Sequence, residues 1–235
     1  MSDKKNDSFG DRIKELEAVS AKAVLSEDEP ICVRNDGKAS HTYTRGLERP
    51  FDKRLSEAMI ETMNYLVEKA DARLGYTQSD EISLVFFKTA PHQQNFFGSR
   101  VQKLTSVLAS MATAKFNAEV HKKIPEKSDV FAFFDCRVWN VPTLQDAADV
   151  FVWRQEDAIK NAVSMAASAY YSHKVLHGKN SMEKIAMLKE KGIDWNDYPL
   201  FFKSGTYAMR KHVEVEMSEE MKAFKGNEGK ETYLR

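Results

Sequence analysis

Apolar positions along the chain change period several times, and each change marks an element. Phe9, Ile13 and Leu16 recur at helical spacing behind Ser8 and Asp11, a weak capping pair, which predicts a short amphipathic helix. Pro30 to Asn35 is a β-rich run that stops at Asp36-Gly37, the pattern of a strand running into a glycine turn. Pro50 and Asp52 open a helix whose apolar stripe is Leu55, Met59, Met63, Leu66 and Ala70. From Tyr76 to Phe87 the period drops. Ile82, Leu84 and Phe86 alternate with Ser83, Val85 and Phe87, as in a well-buried strand, and the polar Thr77-Gln-Ser-Asp80 predicts a hairpin tip before it. Ser99 to about His121 is helical, with Val101, Leu104, Leu108, Met111 and Ala112 on one face, and Val130 to Asp135 is a further strand.

Strand, helix, strand, strand, helix, strand is the ferredoxin-like βαββαβ order, an α+β fold with antiparallel neighbours and both helices on one face. Many polymerase palms and nucleotide cyclases share it, so the fold does not give the function. The second half reads as mostly helical. Leu144 to Val152 follows Thr143, Arg154 to Tyr171 carries Ala162, Met165, Ala166 and Ala169 on one side, and Ser181 to Lys184 starts a helix that Gly192 should end as a left-handed cap. Thr206 to Arg210 is strand-like. The expected organisation is an N-terminal helical extension (1–28), a palm-like catalytic domain (29–140), a helical part packed on it (141–213) and a charged, weakly ordered tail (214–235).

Composition narrows the partners. Lys plus Arg balances Asp plus Glu at 35 each, so any RNA must be held by local basic patches and not by a global field. Three clusters are candidates: His121-Lys-Lys123 with Lys127, His173-Lys174 with His177 and Lys179, and Arg210-Lys-His212. Tyr170, Tyr171 and Trp195 could stack bases, with core packing the expected role of Tyr170. Cys32 and Cys136 both sit in apolar runs and read as buried free thiols. No apolar run approaches the roughly 20 residues a membrane helix needs, and the charged N-terminus lacks a signal-peptide core, so a soluble cytoplasmic protein is expected.

Two acidic positions carry candidate chemistry. In a βαββαβ palm the end of the first strand, Asp36, and the central hairpin, Asp80-Glu81, are adjacent in space. Converging carboxylates repel unless a cation lies between them. Mg²⁺ suits such a site, because it takes hard oxygen ligands and keeps exchangeable positions for phosphates. Gly37 would let its backbone approach triphosphate and metal closely. The alternative remains that Asp36-Gly37 and Asp80 simply make turns.

The sequence around these acids is more specific. Arg34-Asn-Asp-Gly-Lys-Ala-Ser-His41 resembles the R-x-D-G-R-x-F-H motif of the tRNA-histidine guanylyltransferase family, and Arg49-Pro-Phe-Asp52 its K-P-x-D segment. Gly75-Tyr-Thr-Gln-Ser-Asp-Glu-Ile-Ser83 is similar to its G-Y-x-Q-S-D-E-x-S motif. Phe97 to Lys103, Phe134-Asp-Cys-Arg-Val138 and Trp153-Arg-Gln-Glu-Asp157 resemble the elements that follow, in the family's order. The resemblance spans about Val33 to Lys211. It implies a metal-dependent nucleotidyltransferase that extends the 5′ end of tRNA, polymerising 3′-to-5′, with ATP and GTP or other NTPs as substrates and a tetramer built as a dimer of dimers.

The resemblance assigns roles residue by residue. Asp36, the Gly37 carbonyl and Asp80 would hold two Mg²⁺ ions, with Glu81 as a third catalytic carboxylate supporting them. Asp36, Gly37, Lys38, Ala39, Ser40 and His41, with Ser79 and Asp80, would bind the nucleotide. Arg34, Arg49, Arg100 and Lys103 would contact phosphates, and Arg137, Asn161, Lys179 and Arg210 the tRNA. Asn35, Lys38 and Ala39-Ser40 depart from the family's usual Ile, Arg and aromatic positions. After Asp157, Ala158-Ile-Lys-Asn-Ala-Val-Ser-Met165 keeps only Asn161 of the eukaryotic H-I-N-N-L-Y-N-T, and looks more like the bacterial, archaeal and phage Thg-like proteins. Those favour template-dependent repair of 5′-truncated tRNA over strict addition of guanosine to tRNA-histidine. A palm-type cyclase should show a different hairpin tip, and a non-catalytic relative should have lost a metal carboxylate.

Overall fold

The computed structural model describes residues 9, 12–16, 22–89, 93–211, 214–223 and 232–234. In chain order come β1 (Ile31–Gly37), a short α1 (Ser40–Tyr43), α2 (Lys53–Lys69), β2 (Leu74–Gln78), β3 (Glu81–Phe86), α3 (Val101–Lys123) and β4 (Phe134–Asn140). After these follow α4 (Leu144–Ser168), α5 (His173–Leu176), α6 (Ser181–Glu190), α7 (Leu200–Ser204), β5 (Thr206–Met209), β6 (Glu214–Glu216), α8 (Glu219–Lys222) and β7 (Thr232–Leu234).

The main sheet has the order β4-β1-β3-β2-β5, every neighbour antiparallel. Its first four strands make the expected βαββαβ arrangement, and β5 extends it beside β2. β1 lies inside the sheet because its first residues, Ile31, Cys32 and Val33, are apolar and buried on both faces. Ile31 and Val33 join Ile82, Leu84 and Phe86 under α2 and α3, where Met63, Leu66, Leu108 and Ala112 are fully buried. Each such leucine contributes about 1.5–3 kcal/mol by leaving water. Cys32 and Val85 face the other way and pack with Tyr76, Val141, Ala147 and Phe151, the last two from α4. Both palm helices therefore cover one face and α4 closes the other. Cys32 is buried and Cys136 half-buried, both free.

Caps fix the helix starts. Asp52 accepts from the Arg54 amide at 3.0 Å at the head of α2. Thr143 and Asp146 form a capping box at α4, and Asn180 and Glu183 another at α6. Gly192, at φ 77°, takes the left-handed position just past α6, as its place in the sequence predicts.

Three boundaries differ from the sequence reading. The two helices expected over Leu144–Val152 and Arg154–Tyr171 are one 25-residue helix, since neither proline nor glycine interrupts them. β4 begins at Phe134 and not Val130, because its partner β1 ends at Gly37, opposite Phe134, and beyond that pair the Lys38 amide bonds only the Phe133 carbonyl. Beyond Glu214, where a weakly ordered tail is expected, β6 pairs with β7 and Met217 is buried. Near the N-terminus the described residues 9 and 12–16 are helical, with Phe9, Ile13 and Leu16 exposed, while Ser8 and Asp11 lie outside the described residues.

Candidate active site

The register of β1, β2 and β3 brings the acids together. Asp36 pairs with Glu81 across β1 and β3, and Gln78 with Glu81 across β2 and β3, leaving Ser79-Asp80 as a two-residue turn. Ser79 holds φ 49° there. The Gly37 amide donates to the Asp80 carbonyl at 3.0 Å. A Cβ on Gly37 would stand 3.0 Å from the Asp80 Cβ and 3.3 Å from its Oδ2, so a side chain at 37 would push the turn away.

Burial raises the Asp80 carboxyl above the ordinary aspartate range, and the charge of Asp36 adds to it, while the Asp80 backbone amide and the Ser79 and Ser40 hydroxyls act the other way. Among the described residues no ammonium or guanidinium pairs with Asp36 or Asp80. Two of the nearby cations are committed elsewhere. Arg137 contacts Asp135 at 3.4 Å, and Arg154 holds Glu81.

Glu81, expected among the catalytic carboxylates, has both oxygens engaged. Arg154 of α4 donates from Nε to Oε1 at 2.8 Å and from Nη2 to Oε2 at 2.7 Å, and the Ser83 hydroxyl donates to Oε1 at 3.2 Å. Arg154 also contacts Asp157 at 3.2 Å and lies over the Trp153 ring. Glu81 thus fixes α4 to the hairpin and does not face the two aspartates as a free ligand. Arg154 was not singled out in the sequence. Its signal was there, since it shares a helical face with Ala158 and Ala162, and an arginine on a buried alanine stripe requires a buried acid.

The acids open onto a cleft of about 810 Å³ between the end of the sheet, the segment 40–59 and α4. Asp36, Gly37, Lys38, Ser40, His41, Ser79, Asp80, Glu81, Arg34, Arg49 and Asn161 line it. Ala39 does not: it sits at φ 54° as the residue before α1. Arg100 and Lys103 do not either. They lie at the head of α3, where Arg100 Nε donates to the Phe97 carbonyl and Lys103 stands over the Phe97 ring. Three expected tRNA contacts are also outside the cleft and paired locally: Arg137 with Asp135, Lys179 with Glu183 at 3.0 Å, and Arg210 with Asp71. Tyr170 is 45% exposed, because α4 ends before it.

Arg34 is the most informative cation. Its Nε is buried and has no hydrogen-bond partner, and its strand neighbour across β4 is another arginine, Arg137. Like charges side by side and an orphaned donor both suit an anion. Asp52, which also lines the cleft, is buried and gripped by Arg54 through both oxygens, at 3.1 and 2.8 Å.

The description "tRNAHis guanylyltransferase" belongs to the family model that matches residues 10–142. The chain is a member of the tRNA-histidine guanylyltransferase family. The tRNA(His) guanylyltransferase of Saccharomyces cerevisiae is 30% identical over 209 residues, covering 79% of this chain and 86% of that protein. A bacterial tRNA(His) guanylyltransferase-like protein solved in complex with ATP is 40% identical with a TM-score of 0.78, covering 88% of this chain and 87% of that one. Another, in complex with GTP, is 36% identical with a TM-score of 0.73, over 92% and 88% of the two chains.

Membership in the tRNA-histidine guanylyltransferase family makes this chain a nucleotidyltransferase. The metal ions that the family implies fit the residues present. Asp36, Asp80 and the Gly37 carbonyl offer hard oxygen donors, the two carboxylates have no cationic partner among the described residues, and the Asp80 turn packs directly against Gly37.

Proposed function

We propose that this nucleotidyltransferase extends the 5′ end of tRNA in the 3′-to-5′ direction, and that base pairing with the opposite strand of the acceptor stem selects the nucleotide. The observation that carries the reading is the pair Asp36 and Asp80, without cationic partners among the described residues, in a cleft that is also lined by Arg34 with its orphaned Nε. A 5′-monophosphate oxygen first attacks the α-phosphorus of ATP, and pyrophosphate leaves. The 3′-hydroxyl of the incoming nucleotide then attacks the activated 5′-phosphorus, and AMP leaves. A 5′-triphosphate end skips the first step and releases pyrophosphate directly.

Positioning and charge neutralisation dominate such transfers. Two Mg²⁺ ions held by Asp36, the Gly37 carbonyl and Asp80 would supply neutralisation at the phosphates and ease deprotonation of the attacking hydroxyl. Arg34 and Arg49 neutralise phosphate oxygens in the same cleft. Where α4 lines it, Ala158, Ala162 and Met165 are apolar, Asn161 is bonded to Asp157 at 3.2 Å, Ser164 is bonded to the Lys160 carbonyl and to Lys184 at 3.0 Å each, and Ser168 adds a single hydroxyl. That wall offers little with which to choose one base, so the template does the choosing. A cytoplasmic location and a homotetramer of paired dimers belong to the same reading. Among the described residues no helix is long and apolar enough to cross a membrane.

An extension assay tests the proposal. A 5′-labelled tRNA lacking its first nucleotide and a mature-length tRNA-histidine are each offered the four NTPs in turn. The truncated tRNA should be extended with the Watson–Crick complement, more efficiently than tRNA-histidine receives guanosine, and changing the template base should change the nucleotide added. Addition of guanosine alone, whatever the opposing base, would identify a dedicated guanylyltransferase instead.

A further inference from the structure

We infer that Phe133 is a base-stacking residue of the nucleotide cleft, a role that rests on the nucleotide reading above and adds a specificity element to it. Most aromatic side chains that line the cleft are committed to one another. Tyr43 packs on Phe116 and Phe116 on Phe134, while Phe51 packs on Phe201 and stacks on Phe202. Phe133 lines the same cleft, has no ring partner among the described residues, and is 57% exposed. Its phenyl ring therefore offers the cleft an apolar face that no other ring among the described residues covers.

Its position is fixed relative to the acids. The Phe133 carbonyl accepts from the Lys38 amide at 2.8 Å, and the next residue, Phe134, pairs with Gly37. The ring is therefore carried by backbone bonded directly to the piece that holds Asp36, Gly37 and Lys38. A ligand whose phosphates meet that piece can lay its base against the wall that Phe133 forms. The chain's own departures leave room for this. Ser40, which also lines the cleft, stands where the motif it resembles has an aromatic residue, so the segment after Gly37 offers only the small His41 imidazole before Tyr43, and Tyr43 is occupied. Phe133 supplies that face from the residue just before β4.

Stacking on a phenyl face is tolerant of sequence, because every base has a π-face. Phe133 should hold all four nucleotides about equally, leaving the choice among them to the template. That property separates it from a hydrogen-bonding residue, which would favour one base.

Equilibrium binding of the four NTPs and of inorganic tripolyphosphate, with Mg²⁺ present, tests the assignment on the full chain. Phe133→Ala should weaken each NTP by about tenfold, the scale of losing one base–aromatic stack, and leave tripolyphosphate binding unchanged. Phe133→Tyr should bind as the parent does, and Ser40→Phe should restore affinity to the Phe133→Ala protein. Phe131, 68% exposed two positions earlier but not lining the cleft, is the control, and Phe131→Ala should change nothing. Unchanged NTP binding in Phe133→Ala, an effect confined to one base, or an equal loss of tripolyphosphate would overturn the inference. Absence of NTP binding by the unaltered protein would sink the nucleotide reading as well, so the two failures are distinguishable.

Discussion

Arg154 grips Glu81 through both carboxylate oxygens across 73 positions of sequence, with both side chains almost wholly buried. The pair joins α4 to the hairpin whose tip carries Asp80. Breaking such a pair leaves a buried charge alone, at a cost of about 3–5 kcal/mol. Arg154→Ala should therefore destabilise the fold by about that amount. The double variant Glu81→Gln/Arg154→Met, which strands no charge, should be far closer to the parent. Urea denaturation of the parent, the singles and the double would decide it. Additive losses would show that the pair is not coupled.

Asp36 and Asp80 behave in the opposite way. Neither has a cationic partner among the described residues, and Asp36 already pushes the Asp80 carboxyl upward. Asp36→Asn and Asp80→Asn should abolish nucleotide addition yet leave the melting temperature in chelator unchanged or higher, since each removes a repulsion and no packing. Retained addition in either variant, with Mg²⁺ supplied, would sink the site assignment.

The central strands and the acidic pair were legible from sequence because period and motif agree there. Ile82, Leu84 and Phe86 alternate, and Asp36-Gly37 and Ser79-Asp80 carry turn chemistry at the strand ends. What escaped was set by tertiary partners. Glu81 looks like its neighbour Asp80 in sequence, and only the approach of α4 turns it into an anchor. Arg100 and Lys103 have suitable charge, but the chain folds them onto Phe97. The start of β4 depends on where β1 stops, which no local pattern near Val130 records.

Asn35 is a local conflict of a different kind. It is fully buried in β1 between Ile82 and Cys136, and neither its Oδ1 nor its Nδ2 has a hydrogen-bond partner. The motif it belongs to usually has isoleucine there. An unpartnered amide costs about 1–3 kcal/mol on mutational scales. Asn35→Ile should thus raise stability by roughly that much, with nucleotide binding retained, because the side chain points away from the cleft face that Asp36 shares. Thermal and urea unfolding would show it, and a loss of stability would mean that the pocket cannot admit the larger side chain.

Asp52 offers a pH-dependent test of the cleft wall. The Arg54 guanidinium beside it holds its carboxyl below the ordinary aspartate value of 3.8, helped by the Glu48 and Arg54 amides and opposed by burial. A carboxyl depressed in the fold contributes stability that is fully present above its unfolded pKa. That contribution is lost as the pH falls through the folded value. Asp52→Ala removes both the charge and the N-cap of α2 and should cost about 1–2 kcal/mol at neutral pH. Asp52→Asn keeps the cap, because asparagine caps as well as aspartate does, and so isolates the charge. Its deficit should be the smaller of the two near pH 7, and should shrink as the pH drops below 3.8, where the parent carboxyl protonates as well. Urea unfolding of the three proteins across that range would measure both gaps. If the Asp52→Asn deficit stays constant into acid, the charge on Asp52 is not what stabilises the wall, and the cap alone accounts for its role.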